Sequence, residues 1–201
     1  MKTLFIEAIK PNLSFNPSKL TNLPNELHIL YSIQYNELAE KIKQYLMREH
    51  QILGFEQVLG CSQIHPKASL LLIGSGRFHA INLAYSTGQE VYVYDFNLTK
   101  ITKEEIAQAQ KTEKAKLSLF ANAEKIGILV SIKPGQKRLK EAEALKIKIE
   151  KKFKKKVYLF LADNINIGEF ENFDINFWIN TSCPGLELDS MKILDYKKLN
   201  L

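Results

Sequence analysis

A chain of 201 residues, 45% hydrophobic and 25% charged, can bury a real core, which excludes a disordered or fibrous protein and leaves room for one large domain or two small ones. No apolar run reaches the roughly 18 residues of a membrane span, and Met1–Glu7 turns acidic before a signal-peptide core forms, so the expected location is cytoplasmic. The net charge of +6 gathers in Lys146, Lys148, Lys151, Lys152, Lys154, Lys155 and Lys156, where a solvated helix face is the plain reading and a patch for an anionic partner the alternative. No aromatics interleave with these lysines as a single-strand stacking platform would require, so no specific nucleic-acid partner is expected.

Thr3–Ile9 reads as a strand closed by Pro11, and Pro17 and Pro24 mark the loop after it. Leu27–Ile33 reads as the next strand. Asn36 is placed to cap a helix in which Leu38, Ile42, Tyr45 and Leu46 recur at helical spacing to about His50. Gln57–Cys61 is a short apolar segment ended by Gly60, which sets Cys61 in a turn, and Ala68–Ile73 is apolar enough for a strand buried on both faces. Gly74-Ser75-Gly76-Arg77-Phe78-His79 then turns that strand into a helix running to about Thr87. Gly74 and Gly76 permit positive φ or close backbone approach, and the following helix start offers unpaired N–H groups to an anion. The third glycine of a dinucleotide fingerprint is missing. Arg77 has the planar fork to clamp a carboxylate; the plainer alternative makes Arg77 and His79 first-turn surface residues. Glu90–Tyr94 is a further strand, with Asp95 at its carboxyl end, where ligands bind in open α/β sheets and where turn-stabilising aspartates are also common.

Thr102 and Glu105 form a capping box for a long polar helix to about Ala123, suited to joining two lobes. The pattern then repeats: strand Lys125–Ile132, helix Gln136–Phe153 with a stripe of Leu139, Ala142, Leu145, Ile149 and Phe153, strand Lys156–Leu161, and strand Ile175–Ile179 with Trp178 in the core. The expected fold is α/β: two similar lobes, residues 1–110 carrying Cys61 and 111–201 carrying Cys183, each a mainly parallel sheet covered by helices. Each cysteine falls just past a strand end, which argues for treating them as a pair. Two thiols fall short of structural zinc and of most iron–sulfur sites, so a further ligand must come from elsewhere.

Leu59-Gly60-Cys61-Ser62, Ile73–His79, Val91–Asp95, Gly127-Ile128-Leu129 and Ile179-Asn180-Thr181-Ser182-Cys183-Pro184 occur in the order and approximate spacing of the archaeal and eukaryotic diphthamide-synthesis enzymes. The chain resembles the second and third of that family's three α/β lobes. The resemblance implies a 4Fe-4S enzyme that cleaves S-adenosylmethionine and transfers a 3-amino-3-carboxypropyl radical to a histidine of translation elongation factor 2, the first step of diphthamide formation. It assigns Cys61 and Cys183 as cluster ligands and makes Gly74, Gly76, Arg77, His79 and Asp95 candidates for binding the substrate. The first lobe and its cysteine are absent, Ser75 stands where the family commonly has aspartate, and Gly185 where arginine usually follows Cys-Pro. The expected partners are elongation factor 2 as substrate and a separate first-lobe chain, in a homo- or hetero-oligomer. Met1 directly before a strand favours a split gene over an expression fragment or a degenerate relative; the alternative function is a non-catalytic scaffold for an active partner. A phosphate- or nucleotide-binding protein built on the Gly74–Gly76 turn is the weakest of the readings.

Overall fold

The strands form where the apolar runs are densest. The computed structural model describes residues 4, 6–59, 62, 64–199 and 201. The chain divides into two compact units, residues 1–110 and 111–201, each with its own sheet.

In the first unit β1 (Glu26–Tyr31), β2 (Gln51–Gln57), β3 (Ser69–Ile73) and β4 (Val91–Tyr94) are mutually parallel in the order β2-β1-β3-β4. A short β5 (Leu98–Lys100) returns antiparallel on β4. Alternate residues of the central strands point to opposite faces, as the two-residue period of a strand dictates. Ile29, Leu71, Ile73, Tyr92 and Tyr94 meet Leu38, Ala39, Ile42 and Leu46 of α1 (Asn36–Leu46). Leu30, Leu70, Leu72, Val91 and Val93 meet Ala80 and Ala84 of α2 (Arg77–Thr87) on the other side. Gly54 of β2 lies under His28 of β1; a Cβ there would come within 2.4 Å of the imidazole.

The second unit repeats this order. Its strands β6 (Lys125–Ser131), β7 (Lys156–Ala162), β8 (Phe177–Asn180) and β9 (Ile193–Asp195) run parallel in the order β7-β6-β8-β9. One face packs on α4 (Leu139–Phe153) and on Phe120 of α3 (Lys103–Asn122). The other face carries Leu129, Trp178 and Ile193, with Phe160, Ile167 and Phe170 packed against them. Residues 163–176 cover that face with a one-turn 3-10 helix, Ile167–Phe170, instead of an α-helix.

Several expectations need correction. None of the described residues of the expected strand Thr3–Ile9 is in a strand, and Leu4 and Ile6 are more than 80% exposed; an apolar run without a neighbouring strand has no ladder to complete. Asn36 is the first helical residue of α1 and makes no side-chain cap; the helix ends at Leu46, short of His50. The strand before Cys61 lies earlier than expected, at Gln51–Gln57, and the short strands β5 and β9 were not anticipated. α4 begins at Leu139, because Pro134 and Gly135 (φ 80°) hold the preceding residues in a turn. The expected capping box of α3 is present: Thr102 N donates to Glu105 Oε2 at 2.9 Å and Glu105 N to Thr102 Oγ1 at 3.2 Å.

Candidate functional site

In both units the chain leaves the two central strands toward opposite edges of the sheet, so a switch point lies at the carboxyl ends of β1 and β3 and again at those of β6 and β8. Open α/β sheets bind ligands at such points.

In the first unit the turn after β3 occupies this position. Gly74 (φ 150°) and Gly76 (φ 140°) adopt backbone conformations that side-chain-bearing residues rarely tolerate, which explains both glycines. Gly74 N donates to the Tyr94 carbonyl at 3.1 Å, and a Cβ at Gly74 would press on Ser32 Oγ at 3.0 Å. Gly76 precedes α2, with His79 Cδ2 3.2 Å from where its Cβ would lie. His79 Nδ1 is shielded from solvent and has no hydrogen-bond partner among the described residues; buried polar atoms in that state are rare.

Arg77 is already engaged. Its Nε donates to Glu105 Oε1 at 2.6 Å and Nη2 to Glu105 Oε2 at 2.8 Å, while Nη1 donates to Thr99 Oγ1 at 3.0 Å. The guanidinium beside it holds the Glu105 carboxyl below its usual range. A ligand carboxylate would have to displace Glu105 from a bidentate fork, so Arg77 ties α2 to β5 and α3 where the sequence suggested a substrate clamp. Asp95 is exposed in the turn between β4 and β5, and its N–H donates to the Asn97 carbonyl at 3.2 Å.

In the second unit the switch point carries Cys183. Asn180, the last residue of β8, is fully buried; its Nδ2 donates to the Cys183 carbonyl at 2.7 Å, and its Oδ1 accepts from Ser182 N at 2.9 Å. Thr181, also fully buried, donates from Oγ1 to the Leu129 carbonyl at 2.8 Å. These bonds fix the backbone on either side of an exposed thiol that is in no disulfide. Pro184 opens the 3-10 turn Pro184–Leu188, and Leu186 N closes it on the Cys183 carbonyl at 3.1 Å. A Cβ on Gly185 would lie 3.6 Å from Cys183 Sγ, so the glycine leaves that side of the sulfur open. An exposed, unpaired thiol on a rigid turn fits the role of one metal ligand. In the sequence Asn180 and Thr181 stand out only as parts of the Ile179–Pro184 motif; their burial, the signal that they hold the turn, depends on the sheet.

Cys61 lies outside the described residues, and so do Gly60 and Gln63. Among the described residues no three His, Cys, Asp or Glu side chains cluster as a metal site. Each cysteine follows a strand in chain order, but the two strands are not equivalent. Cys183 follows β8, the third strand of its unit, whereas Cys61 follows β2, the second strand of its own, in chain order. The turn matching that of Cys183 is Gly74–Gly76.

The lysine run is partly consumed by the fold. Lys146 donates to Glu150 Oε1 and to the Val157 carbonyl. Lys155 donates to the Ala121 and Ala123 carbonyls at 2.8 and 2.6 Å, satisfying carbonyls at the end of α3, and burial pulls its pKa down. Among the described residues no helix is long and apolar enough to cross a membrane.

Residues 3–199 match the family of diphthamide synthesis proteins. The chain belongs to that family. It is 27% identical over 92% of its length to the 2-(3-amino-3-carboxypropyl)histidine synthase of Pyrococcus horikoshii, and 30% identical over 98% to that of Methanocaldococcus jannaschii. It spans only 56% and 59% of the lengths of these relatives. Among solved structures, Dph2 from P. horikoshii superposes with a TM-score of 0.79 at 24% identity, covering 92% of this chain and 59% of that one, a likeness of fold. Dph2 from the same organism with a 4Fe-4S cluster superposes at 0.77 with 25% identity, covering 90% and 58%. The α/β fold is therefore shared with these solved structures.

Proposed function

We propose that this chain is a subunit of a 4Fe-4S enzyme that cleaves S-adenosylmethionine and transfers its 3-amino-3-carboxypropyl group to a histidine of translation elongation factor 2. In this reading the units 1–110 and 111–201 are the family's second and third lobes, and a separate first-lobe chain completes a cytoplasmic hetero-oligomer. The observation that carries it is the exposed Cys183 thiol, fixed by Asn180 at the switch point of a sheet, in a chain that matches the family over residues 3–199. A solved relative named Dph2 holds a 4Fe-4S cluster, which supports the same assignment.

Cys183 and Cys61 would each hold one iron, and the partner lobe a third. When bound, a cluster held by three thiolates supplies electrons and one iron open to the methionine portion of the substrate. Asn180 and Thr181 would hold the backbone before and at Cys183 so that the thiolate keeps one position. In the first unit, Gly74 and Gly76 shape the turn; His79 N already bonds the Gly76 carbonyl, so the Arg77 and Phe78 amides at the start of α2 and His79 Nδ1 are the groups to offer the substrate. Asp95 lies at the carboxyl end of β4 as a candidate for a polar group of the nucleoside. Arg77 acts through Glu105 and Thr99, holding the start of α2 in place.

The test is transfer of label from the carboxypropyl carbons of S-adenosylmethionine to elongation factor 2, using this chain with a first-lobe partner under anaerobic, reducing conditions. The reading predicts labelled histidine that is lost in Cys61→Ala and Cys183→Ala. Labelling unaffected by both substitutions would make the chain a scaffold for an active partner.

A further inference from the structure

The turn that presents Cys183 is too short to hold itself. A five-residue 3-10 helix has poor hydrogen-bond geometry and little internal support, so something outside it must set the position of the sulfur. Asn180 does so before the cysteine. After it stands Glu187, a carboxylate only 6% exposed.

Glu187 reaches three other elements. Its Oε1 accepts from Asp195 N, at the end of β9, at 2.6 Å. Its Oε2 accepts from Lys198 Nζ at 2.7 Å, and Lys198 also pairs with Glu113 of α3 at 3.4 Å. The Glu187 carbonyl accepts from the buried Lys116 Nζ, also of α3, at 2.6 Å. Burying this many charged groups is costly unless each is paired, yet the unit keeps them all around Glu187, four residues after the cysteine, and the carboxylate oxygens of Glu187 are both occupied. A hydrophobic residue at position 187 could fill the same space, but it would not fix the turn to β9, α3 and the C-terminal residues by directed bonds.

We propose that Glu187 is a positioning residue for Cys183: with Lys116 and Lys198 it locks the turn Pro184–Leu188 so that the thiol is held ready for iron. The inference rests on the reading of Cys183 as a cluster ligand. Glu187 itself does not touch the metal or the substrate.

The test uses Glu187→Ala and the milder Glu187→Gln, which keeps an acceptor for Asp195 N but removes the charge facing Lys198. Hydrogen exchange on the metal-free chain reads the turn directly, and the rate at which a chelator strips iron from the protein reconstituted with a first-lobe partner reads its consequence. A Leu145→Ala chain, destabilised in the core of the same unit away from the turn, serves as the control for general loss of stability. The expected result is at least tenfold faster exchange in residues 182–188 and at least tenfold faster iron loss than in the control, larger for Ala than for Gln. Unchanged exchange in the turn overturns the proposal. Faster exchange with iron loss no greater than in the control also overturns it, leaving Glu187 a residue of the fold alone. If the unsubstituted chain, reconstituted together with a first-lobe partner, takes up no iron, the cluster reading itself fails and the proposal with it, a result visible before any variant is made.

Discussion

The side-chain amide of Asn180 closes over the backbone of Cys183, donating to its carbonyl oxygen at 2.7 Å while accepting from Ser182 N at 2.9 Å. A buried carboxamide thus spends both its ends on a loop that exposes one sulfur. The sheet supports the clamp, because Asn180 of β8 pairs in register with Asp195 of β9.

Asn180→Ala leaves Ser182 N without this partner and the Cys183 carbonyl with Leu186 N alone, in a partly buried setting. Stability should fall by about 2–3 kcal/mol, measured by urea denaturation of the metal-free chain. A loss below about 0.5 kcal/mol, the range of an ordinary surface change, would mean that the clamp does not hold the loop.

Gly127 has no room for a methyl group: its Cβ would sit 2.2 Å from Trp178 Cζ3. The indole is wedged among Phe160 and Phe170, with ring centroids 4.8 and 5.5 Å away, and cannot give way freely. Gly127→Ala should therefore destabilise the second unit by about 1–3 kcal/mol through overpacking. Trp178 is the single tryptophan of the chain, so its fluorescence reports this unit alone; an unchanged unfolding midpoint would contradict the packing described.

Asp195 is buried, and burial raises its carboxyl above the ordinary value. The folded chain then holds that proton more tightly than the unfolded chain, so this group's contribution is full below the unfolded pKa of about 3.8 and is lost as pH rises through the folded one. Asp195→Asn keeps the acceptor for Lys197 N and removes the penalty. Its stability relative to the parent should increase as pH rises from the acid range toward neutrality. A gap that shrinks with rising pH would reverse the sign and refute the assignment.

Glu105 behaves oppositely. Hydrogen bonding to Arg77 lowers its pKa from the ordinary 4.5, so its stabilisation is present above that value and lost as pH falls through the folded one. Glu105→Gln preserves the capping box yet breaks the ion pair, and should cost about 1 kcal/mol or less at neutral pH, since both side chains are partly exposed. The difference from the parent should vanish in acid; a constant difference would assign the effect to the cap.

The α/β alternation was legible because β3, β4, β6 and β8 are buried on both faces and read as apolar runs. The edge strand β2 and the three-residue β5 and β9 were not, since half-exposed or very short strands leave no comparable run. Cys183 could be found as a motif. The groups that hold it could not: Asn180, Glu187, Lys116 and Lys198 are brought together by β9, α3 and the chain end, over as many as 71 residues of sequence. Arg77 shows the converse, a residue that looked available in sequence and is consumed by Glu105, 28 residues away.

The central claim is that Cys183 ligates an iron–sulfur cluster, and it is tested most directly by electron paramagnetic resonance of the reduced protein after anaerobic iron–sulfur reconstitution with a first-lobe partner. The account predicts a reduced 4Fe-4S signal with the parent chain and its loss in Cys183→Ala. A signal of equal intensity in Cys183→Ala, or none with the parent chain and its partner, would contradict it.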